Sequence, residues 1–381
     1  MKCSPSAVKT SNGGSSRQGP VAAAGGNRTE AARTLGVGRN TLARKVAKGL
    51  GSCMARPLWI LAPMLLACRP TVPPPEAARE VSPTEVVRPP PAAVVSVPSL
   101  PAAPTTSSPK AVGAPSAVSL DRYPWLADAT CASPAVVNHL VDRFPSPEGF
   151  TRVDLPADSF GAFLRTLPLQ REDAPVLTYQ GKVLHPATHP NVAAVVAIDP
   201  GKADLQQCAD SIVRLHAEWK WARGERGQSY RAAAGMEIPF SRWKKGDRPV
   251  AKGSSLQWSS GLAKPGDDHA DFRRYLDAVF MFANTGSLAI QAKPTPVSEL
   301  APGDFVVMPG SPGHAVLVLD LARRADGKRR ALLGQGFMPA QSFHVLRPGS
   351  GASAWYEIDE QAPLVTPFWE PFPWSTLRRL P

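Results

Sequence analysis

The chain has 381 residues, of which 43% are hydrophobic and 42 are proline, so part of its length is linker rather than core. The formal net charge of +12 is concentrated at one end, because residues 1–53 contain nine Lys and Arg against one Glu. Residues 120–381 contain 29 basic and 27 acidic residues. This near-balance argues against a polyanion-binding class for the C-terminal part, since phosphate affinity comes from clustered cations.

The basic N-terminal segment contains a short motif at residues 26–48 that begins GNRTEAARTLGVGRNTLARK. It resembles the helix-turn-helix of Fis-type transcription factors, with Thr29 as a helix cap, Gly36 in the turn and residues 40–48 as the recognition helix. A Gly- and Ser-rich stretch stands where the family has a further packing helix. Two short helices alone are not a stable domain.

An apolar run of eleven residues, Pro57–Ala67, follows Met54 and Arg56. It is shorter than the roughly 20 residues that cross a bilayer, and a short apolar run behind a positive charge is typical of a secretory signal. Its end, residues 65–68, resembles a bacterial lipobox, which makes Cys68 the expected lipidated residue. The alternatives are a fortuitous cysteine in a signal cut elsewhere and a buried apolar segment.

An export signal is read at a chain start, whereas 53 residues precede Met54. We expect residues 1–53 to be an over-extended start and residues 54–68 to be a lipoprotein-type signal peptide. The alternative is a DNA-binding N-terminal segment with Met1 as the true start. The expected location is the cell envelope, lipid-anchored, and Arg69 after the cysteine favours the outer membrane of a diderm bacterium.

Residues 69–119 contain 13 prolines and no aromatic residue. Such a composition buries too little apolar surface to fold and favours extended geometry. We therefore predict a disordered tether.

Residues 120–381 have the patterns of one globular domain. The patterns predict a buried strand at 191–199, helices at 205–222 and 271–283, and four consecutive strands at 303–308, 314–320, 330–335 and 341–346. Helices followed by an antiparallel meander indicate the α+β class.

Four strings in this part, DLQQCADS, GDFVVMPGSPGHAVLVLD, LLGQGFMPAQSFHVL and TPFWEPFPWSTLRRL, carry a family resemblance. They are similar to the family catalogued as domain of unknown function 4846, over nearly all of residues 120–381. The resemblance implies a bacterial envelope protein of unestablished activity.

Cys208 early in a predicted helix and His314 at the start of a predicted strand resemble the plan of papain-like and NlpC/P60-like peptidases, although the residues before Cys208 lack the Asp-Cys-Ser pattern. In that plan the helix dipole lowers the pKa of the thiol and His314 is the base. Asp320, Gln335 or His344 could orient the imidazole.

Each candidate residue also has a structural interpretation. Cys208 lies on the apolar stripe of its helix, so it is a buried thiol, a disulfide partner of Cys131 or a nucleophile. His314 could bond a loop carbonyl. The amides Gln335 and Gln341 could contact a polar ligand or satisfy turn backbone.

His185 and His189 are four residues apart, but Pro186 and Pro190 forbid the helix that would pair them, so we expect no metal site and no cofactor.

Two functions follow. The first is a non-catalytic lipoprotein that contacts cell wall or an envelope protein partner through Gln335, Gln341 and His344 near His314. The alternative is a cysteine hydrolase or amidase acting on peptidoglycan peptide. Nucleic acid is not an expected partner.

Overall fold

A computed structural model describes residues 120–129, 131, 134–253 and 255–381. The predicted helix-turn-helix, signal peptide and tether lie outside these residues. Among the described residues no helix is long and apolar enough to cross a membrane.

The described residues form seven helices, which lie at Pro124–Ala127 (α1), Leu140–Arg143 (α2), Phe160–Arg165 (α3), Cys208–Ala222 (α4), Phe240–Trp243 (α5), His269–Phe282 (α6) and Thr285–Gln291 (α7). Short 3-10 turns lie at Leu120–Arg122, Val297–Glu299 and Trp374–Thr376. Both long predicted helices are confirmed. The first begins three residues later than expected, because Gln207 caps it through a reciprocal pair of hydrogen bonds with Asp210.

The strands are short, apart from two in the centre of the fold. They lie at Asn138–His139 (β1), Thr151–Arg152 (β2), Pro168–Leu169 (β3), Val176–Leu177 (β4), Val183–His185 (β5), Val192–Val195 (β6), Ser229–Arg231 (β7), Glu237–Pro239 (β8), Arg248–Lys252 (β9), Ser255–Ser259 (β10), Lys293–Pro294 (β11), Phe305–Met308 (β12), His314–Arg323 (β13), Arg329–Gln335 (β14), His344–Leu346 (β15), Trp355–Ile358 (β16) and Leu377–Arg379 (β17).

One nine-stranded antiparallel sheet organises the domain. Its order is β11-β17-β12-β13-β14-β15-β6, with β16 also on β14 and β2 also on β13. The predicted meander is β12 to β15, whose strands are consecutive neighbours, and the α+β class is confirmed. The predicted strand at 191–199 is β6, which pairs with β15.

Both faces of the sheet are covered, which explains why β13 is almost continuously apolar and buried. On one face, called here the helix face, Ala315 and Leu317 join a core with residues of α4 and α6. On the other, called the C-terminal face, Val316 and Val318 pack with Phe372. A bulge between Val318 and Asp320 reverses this alternation further along β13.

Candidate ligand-binding site

The ends of three adjacent strands bring three predicted site residues together. His314 opens β13, Gln335 ends β14 and His344 opens β15, directly opposite Gln335 in the register. Nε2 of His314 lies 2.8 Å from Oε1 of Gln335, and Nε2 of Gln335 lies 3.5 Å from Nε2 of His344. We call these three buried side chains the His–Gln row.

The hydrogen bonds of the His–Gln row determine where its protons lie. Nδ1 of His344 faces the Ser342 carbonyl oxygen at 3.1 Å, and because a carbonyl only accepts, this nitrogen carries the proton. Nε2 of His344 therefore accepts from the Gln335 amide. That orientation turns the Gln335 oxygen towards His314, which donates from Nε2. His314 is left with Nδ1 as a bare acceptor, and this buried atom has no hydrogen-bond partner among the described residues.

Both imidazoles of the row are neutral at pH 7. Burial lowers the pKa of His314 to about 4 and the pKa of His344 to about 4, because the protein interior disfavours the charged ring. The row is thus a set of uncharged hydrogen-bonding groups, which suits a neutral polar ligand.

Aromatic side chains cover the row. The ring centroids of Phe337 and Trp369 lie 4.7 and 5.0 Å from that of His314. Nε1 of Trp369 is buried and has no hydrogen-bond partner in the described part of the chain. The preceding residue, Phe368, has a φ of 73°, a left-handed conformation that is rare and costly outside glycine. Strain of this kind is typical of functional segments.

A second histidine pair, His185 and His189, lies beside Phe368. Its ring centroids are 4.5 Å apart, and both lie within 5.5 Å of the Phe368 ring. As Pro186 and Pro190 predict, no helix forms at these two histidines in the described structure. A turn in which the Pro186 oxygen accepts from the His189 N–H brings them together instead.

An open groove of about 630 Å³ lies outside this cover. Met308, Pro309, Pro312, Phe368, Trp369 and Glu370 line it. Met308 pairs with His314 in the sheet register, so the groove opens above the start of β13. Trp369 lines the groove and also contacts the His314 ring, and it is therefore the wall between the groove and the His–Gln row.

Cys208 and His314 are not brought together as a catalytic pair. Side chains alternate along a strand, so the His314 ring and the Ala315 methyl group project to opposite faces. Ala315 shares the core of the helix face with Ala209 and Ile212 of α4, the helix that Cys208 begins. The His314 ring contacts Phe372 on the C-terminal face. The geometry gives no support to the nucleophile interpretation.

The environment of Cys208 also opposes a thiolate. Cys208 is the first residue of α4, yet burial raises the pKa of its thiol to about 12, so desolvation outweighs the helix dipole that was expected to lower it. The thiol donates to the Gly313 carbonyl oxygen at 3.7 Å. Cys208 and Cys131 are both free, so the structure contains no disulfide between them.

We expect iodoacetamide to alkylate Cys208 in the folded protein at least about 100-fold more slowly than in denaturant, because so little thiolate is present at neutral pH. Mass spectrometry of the Cys208 peptide measures the rate. The control is His314→Ala, which should leave the rate unchanged because His314 faces the other side of the sheet. Fast labelling of the folded protein that this variant slows would restore the nucleophile interpretation.

The remaining predicted residues lie outside the row. Asp320 is fully buried and accepts from Arg152 and Arg165 at 2.6 and 2.8 Å. Asp320 lies six residues after His314 on β13, which corresponds to about 20 Å of extended strand. This distance is too great for Asp320 to orient the imidazole. Gln341 forms a backbone bridge with Thr178, and its buried amide has no hydrogen-bond partner among the described residues.

The fold and the site define an α+β protein with a buried, uncharged row of polar side chains under an aromatic cover, at one end of its main sheet. Residues 140–379 match the family described as domain of unknown function (4846), and the chain belongs to that family. Residues 22–49 match the model described as bacterial regulatory protein, Fis family. No curated protein and no solved structure matches the chain. The likeness to papain-like peptidases stays a prediction.

Proposed function

We propose that the protein is a lipid-anchored lipoprotein of the cell envelope whose folded domain is a non-catalytic binding module for the cell wall. The anchor is Cys68, and the tether of residues 69–119 holds the domain away from the membrane. The binding site is the His–Gln row together with the groove above it.

The observation that carries this proposal is a pair of unsatisfied polar atoms, one in the groove wall and one directly behind it. Nδ1 of His314 is an acceptor and Nε1 of Trp369 is a donor, and both are buried without a partner in the described residues. A buried polar group without a hydrogen bond costs about 1–3 kcal/mol, so a ligand that supplies a donor and an acceptor gains that energy on binding.

The chemistry of the site fits a saccharide with amide substituents. Sugar rings pack on aromatic faces such as those of Phe368 and Trp369, and an acetamido group offers one N–H donor and one carbonyl acceptor. Cell-wall glycan carries both features. The absence of charge in the row fits the same neutral ligand and fits an acidic peptide poorly.

Two alternatives have less support. The hydrolase function needs a thiolate beside an imidazole, and Cys208 and His314 lie on opposite faces of the sheet. A DNA-binding role depends on the Fis-type match at residues 22–49, which lie outside the described residues. An envelope protein partner remains the second ligand class for the same groove.

We expect purified protein that starts at Arg69 to be retained on peptidoglycan sacculi, and His314→Ala to bind them about tenfold more weakly because one buried hydrogen bond is lost. Co-sedimentation measures both affinities. Trp369→Phe keeps the aromatic face and removes only the indole donor, so it should weaken binding by a similar factor.

Cys208→Ser is the matched control on the opposite face of the sheet, and it should bind like the wild type. Equal retention of the wild type and His314→Ala would contradict a site at the row. No retention of correctly folded wild type would contradict the cell wall as the ligand and leave a protein partner.

A further inference from the structure

A second cluster of chemically capable side chains lies on the helix side of the sheet and does not depend on the proposed binding function. It consists of Asp128, Cys131 and His269, and the carboxylate, thiol and imidazole atoms of these residues all lie within 4.8 Å of one another. Cys131 packs in the same core as Phe272 of α6.

The local chain dictates this arrangement. The N–H of Cys131 donates to the main-chain oxygen of Asp128 at 2.9 Å, which closes a turn and places both side chains on one side of it. His269 is the first residue of α6, held by the capping of Asp268. Two sequence-distant segments therefore present three ligand-type atoms to one point.

His269 is oriented as a metal-binding histidine would be. Its Nδ1 lies 2.6 Å from Oδ2 of Asp128, inside the cluster, and its Nε2 lies 2.8 Å from Oε2 of Glu218, outside it. Glu218 accepts in turn from Nε of Arg214 at 2.7 Å, and both of these side chains are fully buried. A carboxylate that fixes the second nitrogen of a histidine is the usual outer partner in zinc sites.

The Cys131 thiol supplies an independent indication. This side chain is only 9% exposed and points into the cluster, yet no hydrogen bond of its sulfur is found in the described structure. Core packing explains the burial of Cys131 but not the approach of its sulfur to an imidazole and a carboxylate, and thiolate, imidazole and carboxylate are together the ligands that zinc prefers.

From these contacts we infer that Asp128, Cys131 and His269 bind one divalent cation of the zinc class, with Glu218 as a positioning residue. On binding, the Cys131 thiol and Nδ1 of His269 each release a proton, and each atom gains a bond to the metal. Tetrahedral zinc spaces its ligand atoms about 3.3–3.8 Å apart, which the cluster reaches by small side-chain movements. A fourth position remains for water.

The charges of the surrounding network are balanced in both states. Without metal, the three buried carboxylates of Asp128, Glu218 and Asp199 are balanced by the guanidinium groups of Arg214 and Arg273 and by the His269 imidazolium, which donates to two of them. Arg273 also pairs with Asp277, whose side chain is 45% exposed and remains solvated. With metal, the two charges of the cation replace the His269 proton and neutralise the new thiolate. Metal binding therefore leaves no uncompensated buried charge.

The test is a titration of chelator-treated full-length protein with Co²⁺ alone. We expect one Co²⁺ per chain and a near-ultraviolet thiolate-to-cobalt absorption that Zn²⁺ abolishes by displacement. Cys131→Ser should lose the absorption, and His269→Gln should weaken binding. Zn²⁺ should raise the melting temperature of the wild type and leave that of Cys131→Ser unchanged.

The matched control is Cys208→Ser, which should keep the absorption and the Zn²⁺-induced shift. Cys131 lies in a loop, so its variant tests the site even if His269→Gln fails to fold. A wild type that takes up no metal, or a Cys131→Ser variant with an unchanged absorption, would overturn the inference.

Discussion

Replacing Arg214 by methionine is expected to lower the free energy of unfolding by about 3–5 kcal/mol, the usual cost of leaving buried charges without their partner. Arg214 is fully buried in α4. Its guanidinium group donates to Glu218 at 2.7 Å, to Gln206 at 3.0 Å and to Asp199 at 3.1 Å. Methionine fills a similar volume but satisfies none of these oxygens.

The expected loss is large because the remaining contacts cannot compensate. Glu218 would keep only its hydrogen bond from His269, and Asp199 would keep the N–H of Gly201 and a longer contact of 3.8 Å with Arg273. Attraction to the Arg214 guanidinium is the largest contribution that offsets the desolvation of these two carboxylates, and its removal leaves most of that penalty uncompensated.

Arg223→Met is the matched control, since Arg223 caps the end of the same helix. Its side chain is 36% exposed and pairs with Asp158 and Glu225, and such solvent-screened surface pairs contribute little to stability. Urea denaturation of the two variants measures the difference. Similar losses for both would show that the buried network contributes no more than a surface ion pair.

The meander and the long helices were predictable because their patterns are local. Apolar runs of strand length separated by turn residues defined β12 to β15, and the helical period defined α4 and α6. Because consecutive strands of a meander pair in order, the proximity of His314, Gln335 and His344 could be predicted. These parts of the site needed no knowledge of distant contacts.

The three interpretations of Cys208 could not be separated from the sequence for a simple geometric reason. A strand alternates its side chains, so a helix that packs near β13 meets either His314 or Ala315, and the sequence does not say which. The helix meets Ala315. A shift of one residue in the packing would have placed the imidazole on the helix face beside the thiol.

The aromatic cover was not predictable for a different reason. Phe368 and Trp369 are far from His314 in sequence, and the left-handed conformation of Phe368 has no local signature such as glycine. His185 and His189 meet through a turn, whereas a spacing of four residues predicts contact only on a helix. Contacts made by chain reversal outside regular elements leave no periodic signal.

Lowering the pH from 6 to 5 is expected to reduce the free energy of unfolding by about 3 kcal/mol, because three buried histidines are neutral only in the folded state. Burial lowers the pKa of His314 and His344 to about 4 and that of His216 to about 3. In the unfolded chain the pKa of each of these rings is about 6.5. The contribution of these three neutral histidines to stability is therefore present above the unfolded pKa and is lost as the pH falls towards the folded pKa values.

His269 changes the curve only at higher pH. Burial opposes its charge, but hydrogen bonds to Glu218 and Asp128 prevail and raise its pKa, so its contribution is present below the unfolded pKa and is lost as the pH rises. His269 therefore opposes the gain from the three buried histidines and limits the rise in stability near neutral pH. Urea denaturation at a series of pH values gives the slope directly.

His216→Gln isolates one of the three histidines without touching the His–Gln row. Nε2 of His216 donates to the Pro381 carbonyl oxygen at 3.2 Å, and Nδ1 accepts from the Tyr230 hydroxyl at 3.0 Å. A glutamine amide can likewise donate to the carbonyl and accept from the hydroxyl, and it does not titrate. Between pH 6 and 5 the variant should take up one proton fewer on unfolding than the wild type. The pH dependence of its free energy of unfolding should therefore be smaller by about 1 kcal/mol per pH unit. An unchanged slope would show that His216 takes up no proton on unfolding in this pH range.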